Sequence, residues 1–436
     1  MIIHKFYAKG VHDIFNFKLN FHSDVNFLIG INGSGKTSAL QLLEAALSFD
    51  LAALIGIKFS NLMVDLTGDS GRFILEIDSS PERIAILLND ESIYFDNARI
   101  FGEDVIGRRT SPSMAEFIEN HRLEMIRKAG PLTQKFLAQR RPLFLGLERK
   151  ISGSDDYTQW NPYRESHGRI ISRGTKELLE GLDSCQKIIE RAYTRYRRAS
   201  DSRIDRLSTV ILESTFEYFE FDIEKLNEAK LNPYEDLQEL HNRRAEIEKF
   251  VKDLGGSDKA ITQISEFFSK MALVVNRPGG RDPGEGWSLE WFMNMAQIKR
   301  IRAILSEIDR QKKMAERHYA PIKEFLMVVN RFFQPSKKDI VVDAVGKLKV
   351  LQGGKFIDLE NLSSGEKQLI ILLVHSRFGS TKTNSFVIDE PELSLHMRWQ
   401  EMLVDALTEN NKVNQFIFAT HSPEIVGLLK DKCIRI

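Results

Sequence analysis

The sequence predicts an α/β fold in two separated pieces, a mixed β lobe and a parallel α/β lobe, with a helical insert between them. Three observations lead there. Short apolar alternations broken by turn residues fill residues 1 to about 100. Strand and helix patterns alternate again after residue 335, and the stretch from about 150 to 335 is dominated by charged, helix-forming sequence.

In the first piece Ile2 to Ala8, Phe15 to Phe21, Val25 to Gly30, Asn61 to Leu66, Arg72 to Ile77 and Arg83 to Leu88 read as strands. Between them Leu40, Leu43, Ala46 and Leu47 line one side of an amphipathic helix over Lys36 to Leu47, which opens directly after a Gly-rich loop. Residues 112 to 140 read as charged helix, and Pro142 to Leu147 as a buried strand ending at Glu148 and Arg149.

In the insert, Gly255-Gly256 and the Gly/Pro-rich run Arg277 to Gly286 break the helical pattern. Leu237, Leu240, Arg244, Ile247, Val251 and Leu254 follow a 3-4-3-4-3 rhythm, and Ile298, Ile301, Leu305, Ile308, Lys312 and Ala315 repeat it. Two such seams predict an antiparallel helical hairpin, coiled-coil-like in packing; an ordinary helical subdomain is the alternative. In the last piece Asp339 to Val345 and Lys347 to Gln352 alternate. A helix at about 364 to 378, a buried strand Ser385 to Ile388, another helix, a strand Gln415 to Ala419 and a short helix from Pro423 follow. Strand alternating with helix signals a parallel sheet.

The 436 residues carry 61 Lys+Arg against 61 Asp+Glu, and 42% are hydrophobic. That supports a sizeable core and excludes a disordered chain or a uniformly cationic surface, so anionic partners must be held locally. Cys185 and Cys433 lack neighbours at metal spacing, which fits reduced thiols in a cytoplasmic protein. The most apolar stretch, Leu40 to Lys58, contains Glu44 and Asp50, so neither a membrane span nor a signal peptide is expected.

Gly30-Ile-Asn32-Gly33-Ser34-Gly35-Lys36-Thr37 matches the G-x-x-x-x-G-K-[ST] phosphate loop, between an expected strand and an expected helix that continues at Ser38. Backbone N–H groups there can curl around phosphate oxygens, Lys36 can reach the outer phosphates and Thr37 can ligate Mg²⁺. ATP and Mg²⁺ are the expected ligands. The strand Ser385 to Ile388 delivers Asp389 and Glu390 at its carboxyl end. Asp389 would hold the metal and Glu390 would orient or deprotonate the attacking water. Ser363-Ser364-Gly365-Glu366 opens a helix and offers a second anion-binding end, although Ser before Gly-Glu is also an ordinary helix cap. His421, after the strand Gln415 to Ala419, can donate to a γ-phosphate oxygen.

Taken together, these motifs resemble the ATP-binding-cassette ATPases, in that family's order. The resemblance covers about 1–150 and 337–436 as two halves of one head, with 151–336 as an insert. It implies that two heads sandwich two nucleotides, the signature Ser363 to Gly365 of one touching the phosphate held by Lys36 of the other, with Pro391 to His396 as the loop crossing that interface. More than 300 positions separate Thr37 from Ser363, and Ser364 and Glu366 stand where transporters usually have Gly and Gln. The arrangement is instead similar to repair and chromosome-maintenance cassettes of the RecF and SMC kind. The wording Asp-Glu-Pro-Glu-Leu-Ser-Leu-His and Ala-Thr-His-Ser-Pro is similar to the overcoming-lysogenization-defect nucleases. Those continue into a Toprim domain, for which the 15 residues after His421 leave no room. The resemblance then implies the ATPase of a PARIS-type anti-phage system: an oligomeric sensor controlling a separate Toprim-type effector, released when a phage trigger protein is sensed. A RecF-like clamp on duplex DNA is the alternative. The resemblance leaves the family's glutamine loop unplaced, Gln139 lying ahead of the strand. Arg191, Arg195, Arg197, Arg198, Arg203 and Arg206 around Tyr193 and Tyr196, and the smaller group Arg140, Arg141, Arg149 and Lys150, could contact DNA or an acidic trigger, or simply form solvated faces.

Overall fold

The computed structural model describes residues 1–96, 112–145, 151–152, 173–201, 233–253, 257–275, 289–378, 385–409 and 415–436. The expected strand end at Glu148 and Arg149, Lys150, the helix breaks at Gly255-Gly256 and 277–286, and Arg203 and Arg206 lie outside them.

The first lobe is an antiparallel sheet in the order β2-β1-β4-β5-β6-β7, built from β1 (Ile2–Val11), β2 (Phe15–Asn20), β4 (Asn61–Gly68), β5 (Gly71–Ser79), β6 (Arg83–Leu88) and β7 (Glu91–Asp96). Alternation explains its one-sided core: in β5 Phe73, Leu75 and Ile77 are buried while Arg72, Ile74 and Glu76 are exposed. β7 extends the expected set of strands.

The strand β3 (Val25–Ile29) leaves this lobe. It joins β8 (Leu143–Leu145), β9 (Ile151–Ser152), β13 (Ser385–Asp389), β14 (Gln415–Thr420) and β15 (Cys433–Arg435) in a second sheet of order β15-β3-β14-β13-β8-β9, parallel except for β9. Both of its faces are covered. Leu28, Val387, Ile417 and Ala419 point to the core shared with the antiparallel sheet, while Phe27, Phe386, Ile388, Phe416 and Phe418 point to the other side. There Phe386, Phe416, Phe418 and Phe27 stack in a row with centroids 5.2, 5.9 and 5.5 Å apart. Burying each ring is worth roughly 1.5–3 kcal/mol.

Helix α1 (Lys36–Ser48), followed by α2 (Leu51–Gly56), fills the space between the sheets and is buried nearly all round. The charged stretch after β7 forms two helices, α3 (Pro112–Lys128) and α4 (Pro131–Leu137), broken at Gly130-Pro131. The last piece begins with a small antiparallel sheet of β10 (Lys338–Val342), β11 (Leu348–Gln352) and β12 (Lys355–Ile357).

Further along the chain lie α5 (Arg173–Asp201), α6 (Pro233–Asn242), α7 (Arg244–Asp253), α8 (Asp258–Val275), α9 (Leu289–Phe333), α10 (Ser364–Phe378), α11 (Met397–Thr408) and α12 (Pro423–Val426). The chain forms two compact units, 1–191 with 321–436, and 192–320. These units divide at 191/192 and 320/321, inside the expected insert of 151–336. Leu178, Leu182, Cys185 and Ile189 of α5, and Phe325, Val328, Val329, Phe332 and Phe333 of α9, bury in the core of the parallel sheet.

In the smaller unit the two expected seams do meet: Leu240, Ile247, Ile298 and Leu305 are buried together. Two features differ from a simple hairpin. The first seam is interrupted by a turn at Arg243, whose guanidinium grips Asp309 of α9 at 2.7 and 2.8 Å, and α8 contributes Phe268 and Met271 to the same core. A small bundle results, because the first seam is split between two short helices that need a further partner. Among the described residues no helix is long and apolar enough to cross a membrane.

Candidate active site

The carboxyl ends of three adjacent parallel strands, β3, β14 and β13, carry the phosphate loop, His421 and the Asp389-Glu390 pair. Position follows from topology: side chains just past the ends of neighbouring parallel strands converge in one crevice.

The loop is shaped by glycine. Gly33 and Gly35 have φ of 80° and 89°, and a Cβ on Gly35 would come within 2.9 Å of Phe17 Cζ. Asn32 and Gly33 are exposed at its tip, and Ser34, Thr37 and Ser38 are half-buried at its base. Lys36 is only 5% exposed, and its ammonium donates to the carbonyls of Gly30 (3.0 Å) and Ile31 (3.4 Å) and lies 3.5 Å from His421 Nδ1. Burial lowers its pKa, opposed by the carboxylates of Asp389, Glu390 and Glu392. Burial raises that of Asp389; a hydrogen bond from Thr37 and the charge of Lys36 oppose the rise, and Glu390 and Glu392 add to it.

Two buried oxygens here, Ser34 Oγ and Asp389 Oδ1, have no hydrogen-bond partner. An unpaired carboxylate oxygen crowded by two further acids is what a hard divalent cation satisfies, so the residues present fit one held by Asp389 and Thr37. Among the described residues no group of three or more His, Cys, Asp or Glu could hold a metal without other ligands.

Glu390 follows β13 with φ of 46°, an unusual left-handed value for a side-chain-bearing residue, while its N–H still donates to Ala419 O at 2.8 Å.

Sequence reasoning missed Glu392. Its Oε1 accepts from the N–H of His421 at 2.7 Å and its Oε2 from the Thr420 hydroxyl at 2.8 Å. The available signal was a third acid directly after Asp389-Glu390-Pro391.

The signature sits at the start of α10. Ser363 and Ser364 are exposed, whereas Gly365 and Glu366 are buried, and Gly365 packs so tightly on the Ser394 carbonyl that a Cβ would overlap it. Glu366 is engaged within its own head. Its carboxylate accepts from Ser363 N–H at 2.8 Å and from Lys338 at 2.8 Å, while its N–H donates to Ser363 Oγ at 3.3 Å, a reciprocal helix cap. Burial pushes its carboxyl up, but the bonds from Lys338 and Ser363 outweigh that and hold it below the usual range.

Gln139 is buried and accepts from Asp69 N–H at 3.0 Å, fastening the β4–β5 turn. Of the arginine group, Arg191, Arg195, Arg197 and Arg198 are exposed on α5, and the Tyr196 ring lies tilted between those of Tyr193 and Tyr319 of α9.

The sequence matches the AAA_21 family, described as "AAA domain, putative AbiEii toxin, Type IV TA system", over residues 25–427. The chain belongs to this family. The AAA_21 match takes in the phosphate loop, the acid pair and His421 together with the insert. The chain is similar to the "Retron Vc95 probable ATPase" of Vibrio cholerae serotype O1 biovar El Tor, at 22% identity over 442 residues, covering 96% of this chain and 70% of that one. Among solved structures it is similar to an Smc head domain with an extended coiled coil, bound to the C-terminal domain of ScpA, from Pyrococcus furiosus. That match has 14% identity, a TM-score of 0.40 and coverage of 98% and 91%. An Smc head domain with a coiled coil and joint from Pyrococcus yayanosii matches at 14% identity and TM-score 0.36, with coverage of 98% and 93%.

Proposed function

We propose that this AAA_21 protein is an ATPase, converting ATP and water to ADP and phosphate. The observation that carries the reading is the convergence of Lys36, Thr37, Asp389, Glu390 and His421 at three neighbouring strand ends, with Asp389 Oδ1 buried and unpartnered. Lys36 and the loop N–H groups bind the β and γ phosphates, and Thr37 and Asp389 hold Mg²⁺. When bound, Mg²⁺ would supply positive charge against the phosphate oxygens. Glu390 accepts a proton from the attacking water, and His421 supports the γ-phosphate.

The exposed Ser363 and Ser364 are free to face a second copy, so paired heads would complete each other's nucleotide sites. In the cell the chain would act in anti-phage defence, as a sensor and scaffold that holds a separate Toprim-type effector nuclease. Two likenesses support this: the Vibrio relative named "Retron Vc95 probable ATPase", and the sequence resemblance to AriA, the ATPase of the PARIS system, whose effector is AriB.

Lys36→Ala is expected to abolish binding of a fluorescent ATP analogue, while Glu390→Ala binds normally and turns over at least ~100-fold more slowly. Equal loss of binding in both would remove Glu390 from its role. Ser364→Arg should bind without hydrolysing, and mixing it with Lys36→Ala should restore some turnover. Failure to restore any, with a monomer by light scattering, would remove the paired-head arrangement.

A further inference from the structure

We propose that Glu392 and Gln400 are positioning residues that fix the His421 loop to the loop running from Pro391 to His396, so that His421 is held over the phosphate loop by residues that do not themselves touch the nucleotide. The inference rests on the ATPase reading above.

His421 itself is exposed. What holds it is a bidentate seat. The two oxygens of Glu392 take the Thr420 hydroxyl at 2.8 Å and the His421 N–H at 2.7 Å, and Thr420 Oγ1 then accepts from Ser422 N–H at 3.0 Å. Three consecutive residues are thereby folded around one carboxylate. Gln400, one turn into α11, makes an independent second link. Its amide donates to Leu395 O at 2.9 Å and Glu392 O at 3.4 Å, and its Oε1 lies 2.7 Å from Ser422 Oγ.

A carboxylate suits the first link because both incoming partners are donors. A glutamine would present an N–H₂ to one of them and lose that bond. The same loop touches the signature helix on its other flank, where the Ser394 carbonyl abuts Gly365. The loop thus packs against the start of α10 at one end and is hydrogen-bonded to the His421 seat at the other.

The test is a double-mutant cycle on steady-state hydrolysis, with ATP-analogue affinity measured separately. Glu392→Gln is expected to lower kcat ~10- to 100-fold with analogue affinity within about threefold of the parent protein. In a His421→Ala background it should add less than about threefold, because its effect passes through His421. Gln400→Leu, which leaves the charges at the site unchanged, should show the same non-additivity with a smaller single effect, and serves if Glu392→Gln does not fold. Wild-type kcat in both variants, or losses that multiply with that of His421→Ala, would overturn the proposal while leaving the ATPase intact. No hydrolysis by the parent protein, or full binding by Lys36→Ala, would instead overturn the reading on which it rests.

Discussion

Lys338 shows how a residue without a motif can govern one. Its ammonium and the Glu366 carboxylate form an ion pair in which the two side chains are only 18% and 7% exposed. Removing one partner of such a pair strands the other charge. Lys338→Met should therefore destabilise the head by about 3 kcal/mol in urea unfolding, and adding Glu366→Gln should recover most of the loss. Recovery absent from the double variant would mean that Lys338 acts by packing alone. His375, buried in α10 with Nε2 unpartnered, makes a second prediction at this scale, since burial pushes its pKa down to about 4. The unfolded chain takes up the proton first, near pH 6.5. The stabilisation is thus complete above that pH and lost as pH falls toward 4, amounting to about 3 kcal/mol at most. His375→Leu should flatten that limb of the stability–pH curve, read as a smaller drop in thermal midpoint between pH 7 and pH 5.

Among the elements, α9 runs from Leu289 to Phe333 with Pro321 inside it, at the point where the compact units divide. A proline there removes one backbone hydrogen bond and crowds the carbonyl of Arg317. Pro321→Ala should raise resistance to urea, by up to about 3 kcal/mol in the helix it repairs, followed by circular dichroism. The elements differed in how legible they were. Those of the site could be read because each chemical group follows a strand at fixed spacing: Lys36 after β3, Asp389 at the end of β13, His421 after β14. The sheet that β3 joins was not legible, although its buried run Asn26, Phe27 and Leu28 departs from the alternation of a one-sided strand. The short β9, β12 and β15 hold too few residues to show any period. Glu392 and Lys338 stayed hidden for another reason, since their partners lie 28 positions or more away and only folding brings them together.

At the scale of the molecule, two sheets must be held in register across one core, and a buried amide does part of that work. Gln415 at the start of β14 is fully buried. It accepts from Ile3 N–H at 2.9 Å, donates to Ile3 O at 2.7 Å and His22 O at 2.8 Å, and shares its oxygen with Ser385 Oγ at 3.0 Å. Gln415→Leu keeps the volume but orphans both backbone groups of Ile3. A loss of about 3 kcal/mol is expected, seen as a lower thermal midpoint; a change below ~0.5 kcal/mol would show that the sheets are joined by apolar packing alone.

The interleaving of β3 with β14 and of β8 with β13 sets an order of events during synthesis. Hairpins of the antiparallel sheet connect neighbours in the chain and can close while later residues are still being made. The parallel sheet cannot close until Gln415 to Thr420 have emerged to meet Val25 to Ile29. Until then the apolar faces of β3 and β8 stand open, the condition in which nascent chains associate wrongly or need a chaperone. Once residues 192–320 have folded into their own unit, closing the sheet costs less chain entropy than its sequence separation alone would demand.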